Sequence, residues 1–527
     1  MNSKLFEVVN MTGEQRDAYL ARMKAVATPE DYLILEGICH AMLELISLIE
    51  QKSMKIDKLR HLMFGPSTEK TPPEKPAPAT PAAPEAKPKR KGHGRTRAGA
   101  YTGATWVPVP HDHLKTGDSC PLCPGGRVRM QKSRALLLRI TGSPPISATG
   151  YSLERLRCDT CGKVFTARTP PEAGTEKYAP SVGVTVALLR YGSGMPHYRL
   201  ASLQKSMGVP LPQSTQWEVM KPLAEQARPI MEELISLAAN ASLIHQDDTS
   251  MRILELRRSG SATATEMDPK RTGTFTTNLQ ADVQSRQVPL YFTGWQHAGE
   301  NLGDLLRRRD PTLEPPIQMC DALSRNMNHG FETVLAHCLA HARREFVTVA
   351  DKFPAQSQHV LKSIGTVYHV DAQARDVKMD PGQRLIHHQT HSQPVMEQLK
   401  LWMNEQFDTR QAEPNSGLGH ALTYMLKHWQ PLTLFLRMEG APIDNNAAER
   451  GLKMAIVHRK NSLSYKTLNG ARTGDLFMSL IQTCRLNGIN PFEYLMAITS
   501  NADAVKLLPQ AWLPWNYPKP ASKPDSS

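Results

Sequence analysis

The chain has 527 residues, 40% apolar and 21% charged. This is ordinary globular usage with room for roughly three or four domains, and it excludes a lone small module. Lys and Arg number 63 against 50 Asp and Glu, a net charge of +13 with a pI near 9.3, which favours a polyanionic partner, nucleic acid ahead of anionic membrane. No apolar run reaches the roughly 18 residues of a membrane span, the start has no signal-like apolar stretch, and 8 cysteines are too few for a disulfide scaffold, so a cytoplasmic protein with no membrane partner is expected.

Within residues 1–65, Leu35, Ile38, Met42, Leu45, Ile49, Ile56, Leu59 and Met63 recur at alternating steps of three and four, with Lys52 interrupting one core position. This is an a/d seam, which predicts a leucine-zipper coiled coil and so a homodimer or higher oligomer. An amphipathic helix packed on the chain's own core is the plainer alternative. Residues 66–99 are rich in Pro, Ala and Lys and predict an extended, disordered linker. Its end carries Lys87, Lys89, Arg90, Lys91, Arg95 and Arg97. These are either solubilising charge on a tether or a non-specific phosphate-binding arm.

Residues 100–172 contain Cys120-Pro-Leu-Cys123 and Cys158-Asp-Thr-Cys161, separated by a spacer that reads as strands with a Gly/Pro turn. Four thiolates in two pairs suit one closed tetrahedral zinc in a zinc ribbon, a structural ion with no open position for chemistry. Residues 173–240 read as helical. A short helix from Tyr198 ends at Gly208, and Ser214 is placed to N-cap a second helix through Trp217, Met220 and Leu223. The pair suggests a helix-turn-helix that binds DNA, although such geometry is also common as plain packing.

Residues 241–350 become strand-like. Along Leu243–Leu254, one face holds Leu243, His245, Asp247, Thr249, Met251 and Ile253, and the other Ile244, Gln246, Asp248, Ser250, Arg252 and Leu254. Asp247 is thus the carboxylate on the more apolar face, where a charge needs a partner or a metal. Two more strands, a helix (GENLGDLLRRR) and a fourth strand follow. On the last, Ile317, Met319 and Asp321 share a face. Three strands, a helix and a strand, with acids on the first and fourth strands, match a ribonuclease-H-like core.

A third acid comes from 441–500, where Asp444 or Asn445 can N-cap a helix whose Glu449, Leu452 and Ile456 form one stripe. Converging carboxylates of this kind hold divalent ions. Residues 351–440 read as a helical insertion into the core, and 501–527 as a C-terminal tail. His337 and His341, four apart on an expected helix, lack an obvious third ligand. Arg343, Arg344, Arg459 and Lys460 are candidate phosphate contacts, alongside Lys89, Arg90 and Lys91.

QDDTSMRIL, IQMCDALSRN, HCLAHARREF and the DNNAAERGLK–HRKNSLSY–NGARTGDLFMSLIQTCRLNGINPFEYL block resemble the transposases of insertion sequence family 66. The resemblance spans nearly the whole chain and is most specific from Asn445 to Leu495. It implies a multidomain α/β protein with a ribonuclease-H-like catalytic core, a DDE triad of Asp247, Asp321 and Glu449, and double-stranded DNA (element ends and target) as partner. Two Mg²⁺ ions, one held by Asp247 and Asp321 and the second completed by Glu449, would serve strand cleavage and strand transfer. Accessory proteins of the same element and a bacterial cytoplasm are implied with it. The family's Asp-Glu-Thr appears here as Asp247-Asp248-Thr249. Its Asp-Gly-Tyr is absent, and Asp321 is followed by Ala-Leu-Ser-Arg-Asn. The competing readings are a catalytically inactive DNA-binding protein derived from such an element and a nuclease that cuts without joining.

Overall fold

The computed structural model describes residues 20–26, 28, 30–32, 113–122, 126–129, 143–157, 164–258, 273–327 and 330–518. The chain divides into two compact units, Met1–Leu138 and Arg139–Ser527. The division falls inside the span 100–172 that the sequence reads as one ribbon.

In the first unit, residues 20–24 and 30–32 are helical. An antiparallel bridge pairs Ser119 with Arg127. Inside it, the Cys120 amide donates to the Gly126 carbonyl at 2.8 Å, and the Leu122 amide donates to the Cys120 Sγ at 3.4 Å. The seam from Leu35 to Met63, the linker with Lys89, Arg90 and Lys91, and Cys123 lie outside the described residues. So do Cys158 and Cys161 of the second unit.

The second unit opens with a small hairpin, β1 (Arg155–Arg157) against β2 (Val164–Thr166). Helices α1 (Pro180–Ala187), α2 (His197–Ser206) and α3 (Gln213–Ala239) follow. The second helix of the expected helix-turn-helix starts one residue before Ser214, with Pro212 at the N-cap position and no side-chain cap. It also runs far longer than a groove-reading helix needs. Met220, Leu223, Ala227, Ile230, Leu234 and Ala238 form one apolar stripe, all buried, and make α3 the spine of the main core. The opposite side is exposed along its length, from Gln213, Ser214, Glu218 and Lys221 to Glu225, Arg228, Glu232 and Ser236.

The central sheet has five strands: β3 (Leu243–Ser250), β4 (Phe275–Val283), β5 (Arg286–Gly294), β6 (Ile317–Cys320) and β7 (Val334–His337). Their order is β5-β4-β3-β6-β7. β3, β4 and β5 run antiparallel to one another, while β6 and β7 run parallel to β3. Helix α4 (Ala298–Leu306) connects β5 to β6. The order three strands, helix, strand is thus the one the sequence predicts.

The β5 edge is closed by α11 (Leu468–Leu486) and the residue after it. Asp475 accepts the Thr293 amide at 2.7 Å, Ser479 the Tyr291 amide at 3.0 Å and Asn487 the Gln287 amide at 3.3 Å. Pro289 occupies the remaining outward position, the one place on an edge where a missing N–H leaves nothing unpaired. An open template for strand pairing is thereby removed.

Beyond β7 come α5 (Leu339–Val349) and the helices of the expected insertion, α6 (Pro354–Asp376), α7 (Pro381–His391), α8 (Gln393–Asp408) and α9 (Gly417–Lys427). These build a second core, in which Val360, Ile364, Met396, Leu399, Met403 and Leu422 pack with Phe346, Met319 and Ile443. Helix α10 (Asn446–Ser462) then returns across β3 and β4. The final α12 (Pro491–Ser500) and α13 (Ala502–Leu507) pack on α3. The expected tail from 501 is a correction: Val505, Trp512, Leu513 and Tyr517 are buried in the main core, so the described chain to 518 is part of the fold. Among the described residues no helix is long and apolar enough to cross a membrane.

Candidate active site

Asp247 stands near the end of the central strand β3. Its parallel neighbour β6 pairs Leu243 with Ile317 and His245 with Met319. Asp247 and Asp321 therefore point to the same face of the sheet, the face that α10 crosses, with Glu449 in the first turn of that helix. Asp247 accepts the Asp248 amide at 2.8 Å. Burial pushes its carboxyl up, and the charges of Asp321, Asp248 and Glu449 add to the rise, to about 7. The three acids that the sequence singles out are thus within electrostatic reach of one another.

The contrast between Asp247 and Asp248 is real, but its cause is not an apolar face against a polar one. Both faces of β3 are covered, and the Asp248 side chain is hidden as well, at 2% exposure. It accepts from His297 Nδ1 at 3.0 Å and the Ala298 amide at 3.4 Å, and it pairs with Arg325 at 3.4 Å. Asp248 is therefore committed to the N-terminus of α4, while Asp247 is left with one amide and three neighbouring acids. A buried carboxylate so weakly compensated costs several kcal/mol unless a cation joins it.

Asp321 is held by the segment that departs from the family's second motif. Asn326 Nδ2 donates to Asp321 Oδ1. The Asn326 carbonyl in turn accepts from Gln246 Nε2 and, at 2.8 Å, from Gln318 Nε2. Arg325 and Asn326, which stand where the family's motif is absent, thus partner Asp248 and Asp321 respectively.

The α10 N-terminus is fixed by Asn445, at the N-cap position and 1% exposed. Asn445 Nδ2 donates to the Gln246 carbonyl at 2.8 Å, and Oδ1 accepts from His245 Nδ1 at 3.2 Å. Burial pushes the His245 ring down to about 4, so it is neutral. Capping falls to Asp444, whose Oδ1 accepts the Asn446 amide at 3.1 Å. The segment leading to Asp444 is joined to the insertion at Ala441, through Arg384 of the buried Asp371 network. Although burial raises the Asp371 carboxyl, His388 and Arg384, with Arg375, hold it below its usual range. Arg384 also reaches the Ala441 carbonyl at 3.3 Å.

The family model described as "Transposase IS66 family" matches residues 177–473, a span that contains all three acids and every helix and strand that positions them. The chain belongs to this family. Among curated proteins, this IS66-family transposase is 25% identical over 426 residues to the uncharacterized protein y4jD of Sinorhizobium fredii, covering 76% of the chain and 78% of the relative. It is 22% identical over 394 residues to y4hP of the same organism, covering 69% and 67%. No solved structure matches the chain.

The remaining expected site residues fall differently in this IS66-family chain. Arg459 Nη1 donates to the Thr249 and Ser250 hydroxyls and the Ser250 carbonyl, each at 2.8 Å, tying the end of α10 to the end of β3. Arg344 lies 3.4 Å from Glu449 Oε2 and 3.1 Å from His341 Nε2. Lys460 is exposed and Arg343 half-buried. His337 and His341 do not share a helix: His337 ends β7 and His341 lies in α5. Among the described residues the metal-sized group is Cys338, His341 and Glu449, with ligand atoms all within 4.8 Å of one another. Asp247, Asp321 and Glu449 are not closed to that spacing. Sequence reasoning missed Cys338, Asn326 and Asn445 as parts of the site. The short spacing of Cys338 to His341 was the available signal.

Proposed function

We propose that the chain is a DDE-type DNA transposase that binds the ends of an insertion sequence and catalyses strand cleavage and strand transfer from Asp247, Asp321 and Glu449. The observation that carries this is the placement of Asp247 on β3 and Asp321 just past β6 on one face of the sheet, with Glu449 in the first turn of the helix that crosses that face, inside the family-matched span. The strand order β5-β4-β3-β6-β7, with acids on β3, just past the end of β6 and on a later crossing helix, supports a ribonuclease-H-like reading of the core.

The residues fit a divalent cation. Glu449 Oε1 is a buried carboxylate oxygen with no hydrogen-bond partner, and among the described residues no cation pairs with Asp247. Oxygen donors of this kind suit Mg²⁺. Asp247, Asp321 and Glu449 would hold the ions, which when bound stabilise the entering and leaving oxygens of in-line phosphoryl transfer. Asn326 orients Asp321. Asn445 and Arg459 set the two ends of α10 against β3, so that Glu449 is carried by a rigid element. His297 and Arg325 keep Asp248 turned away.

Phosphate contacts from Arg343, Lys460 and the basic run Lys89, Arg90 and Lys91 belong to the same reading. So do a structural zinc on Cys120, Cys123, Cys158 and Cys161 and self-association through the Leu35–Met63 seam, both of which rest on sequence pattern. The test is incubation with a duplex carrying the element's ends, with Mg²⁺ or with chelator. Mg²⁺-dependent nicking and joined product are expected. Binding without cleavage favours the inactive DNA-binding derivative, and cleavage without joining favours the nuclease.

A further inference from the structure

We propose that Cys338, His341 and Glu449 form a second divalent-cation site, selective for a zinc-class ion, that draws Glu449 away from Asp247 and Asp321. Cys338 stands at the junction of β7 and α5, and His341 is three residues on, in the first turn of that helix. Glu449 faces them from the first turn of α10. The three ligand atoms lie within 4.8 Å of one another, close enough for one ion to gather them with small side-chain movements.

Two independent features point to a ligand. His341 Nδ1 and Glu449 Oε1 are 3.7 Å apart, too far for a hydrogen bond, and both are buried atoms with no hydrogen-bond partner. Two unsatisfied polar atoms facing one space are costly, and a cation between them removes the cost. The Cys338 sulfur also has two backbone donors directed at it. It accepts the Asn445 amide at 3.2 Å and the backbone amide of His341, the pattern of outer hydrogen bonds that orients and steadies a metal-bound thiolate. Burial pushes the thiol up to about 12, so an entering ion displaces a proton.

The donor set decides the metal class. Sulfur, nitrogen and oxygen ligands select zinc-like ions over magnesium, and three protein ligands leave an open fourth position. An ion on Nδ1 shifts the ring proton to Nε2, which releases Arg344 from that nitrogen. Arg344 is 44% exposed and has room to turn. The competition for Glu449 rests on the catalytic reading of that residue, while the binding site itself does not.

Cobalt(II) serves as the probe, added to the full-length chain without DNA. Compared with wild type, Cys338→Ser and His341→Ala should each lose one bound cobalt, and Cys338→Ser should lose part of the near-ultraviolet thiolate-to-cobalt absorption. Whatever the other cysteines bind is common to the three proteins and cancels in the difference. Identical cobalt stoichiometry and spectra in wild type and both variants overturn the site. If Cys338→Ser fails to fold, His341→Ala decides alone, since its side chain is a quarter exposed. Failure of the catalytic reading is a separate result: Glu449→Gln would then still cleave DNA in Mg²⁺.

Discussion

Asn445 donates to the Gln246 carbonyl, accepts from His245 and offers its own amide to Cys338, so removing its side chain loosens the start of α10 beside Asp247. Asn445→Ala is expected to destabilise the fold by about 1–3 kcal/mol and to slow strand cleavage roughly tenfold to a hundredfold through misplacement of Glu449, with binding to element ends retained. Chemical denaturation and single-turnover cleavage check the two halves. At this scale the sequence was legible in part. Alternation along β3 separated Asp247 from Asp248, and the structure keeps the two apart. The physical reason differs, because Asp248 is sequestered by His297 and Arg325 from distant segments, which periodicity within one strand cannot reveal.

Helix α10 lies so close to β4 that Gly451 has no space for a side chain. A Cβ there would stand 2.4 Å from Asn278 Oδ1, and the Gly451 carbonyl accepts from Tyr291 Oη at 2.7 Å. Gly451→Ala should cost about 1–3 kcal/mol by overpacking and depress cleavage by shifting the helix that carries Glu449. Thermal unfolding and cleavage rates of the variant are the readouts.

Helix α11 makes a prediction of different kind. Asp475, buried against β5, accepts from the Thr293 amide and hydroxyl, and burial pushes its carboxyl up to about 7 despite those bonds. A raised acid binds its proton more tightly in the folded state. Its stabilising contribution is therefore complete below about pH 4 and is lost as the pH climbs through about 7. Asp475→Asn should flatten that part of the stability–pH curve relative to wild type in denaturant titrations from pH 5 to 8. An unchanged slope contradicts the assignment. The helices and strands themselves were readable from periodicity. The closing of β5 by α11 was not, since Asp475, Ser479 and Asn487 look like ordinary polar positions until the strand edge they serve is known.

Over the whole molecule, the order of the strands and the helices of 351–440 were legible in the sequence. The segment after 501 was not. The source is physical: α3, α12 and α13 bury their apolar stripes against each other, and short windows do not show which distant stripe completes a core. A cation held by the carboxylates should stabilise the folded chain by linkage, by about 2.7 kcal/mol at a hundredfold excess over its dissociation constant. Mg²⁺ should therefore raise the melting temperature of wild type and have little effect on Asp247→Asn. In the proposed function Asp247, and not its neighbour, is the reacting-site carboxylate acting with Glu449. The most direct measurement is single-turnover cleavage of element-end DNA in Mg²⁺ by Asp247→Asn, Asp248→Asn, Glu449→Gln and the Asp247/Glu449 double variant. Losses of roughly two to three orders of magnitude in the first and third are expected, with no further loss in the double variant because both act in one unit, and a much milder effect of Asp248→Asn. Cleavage retained by Asp247→Asn and abolished by Asp248→Asn would contradict the account.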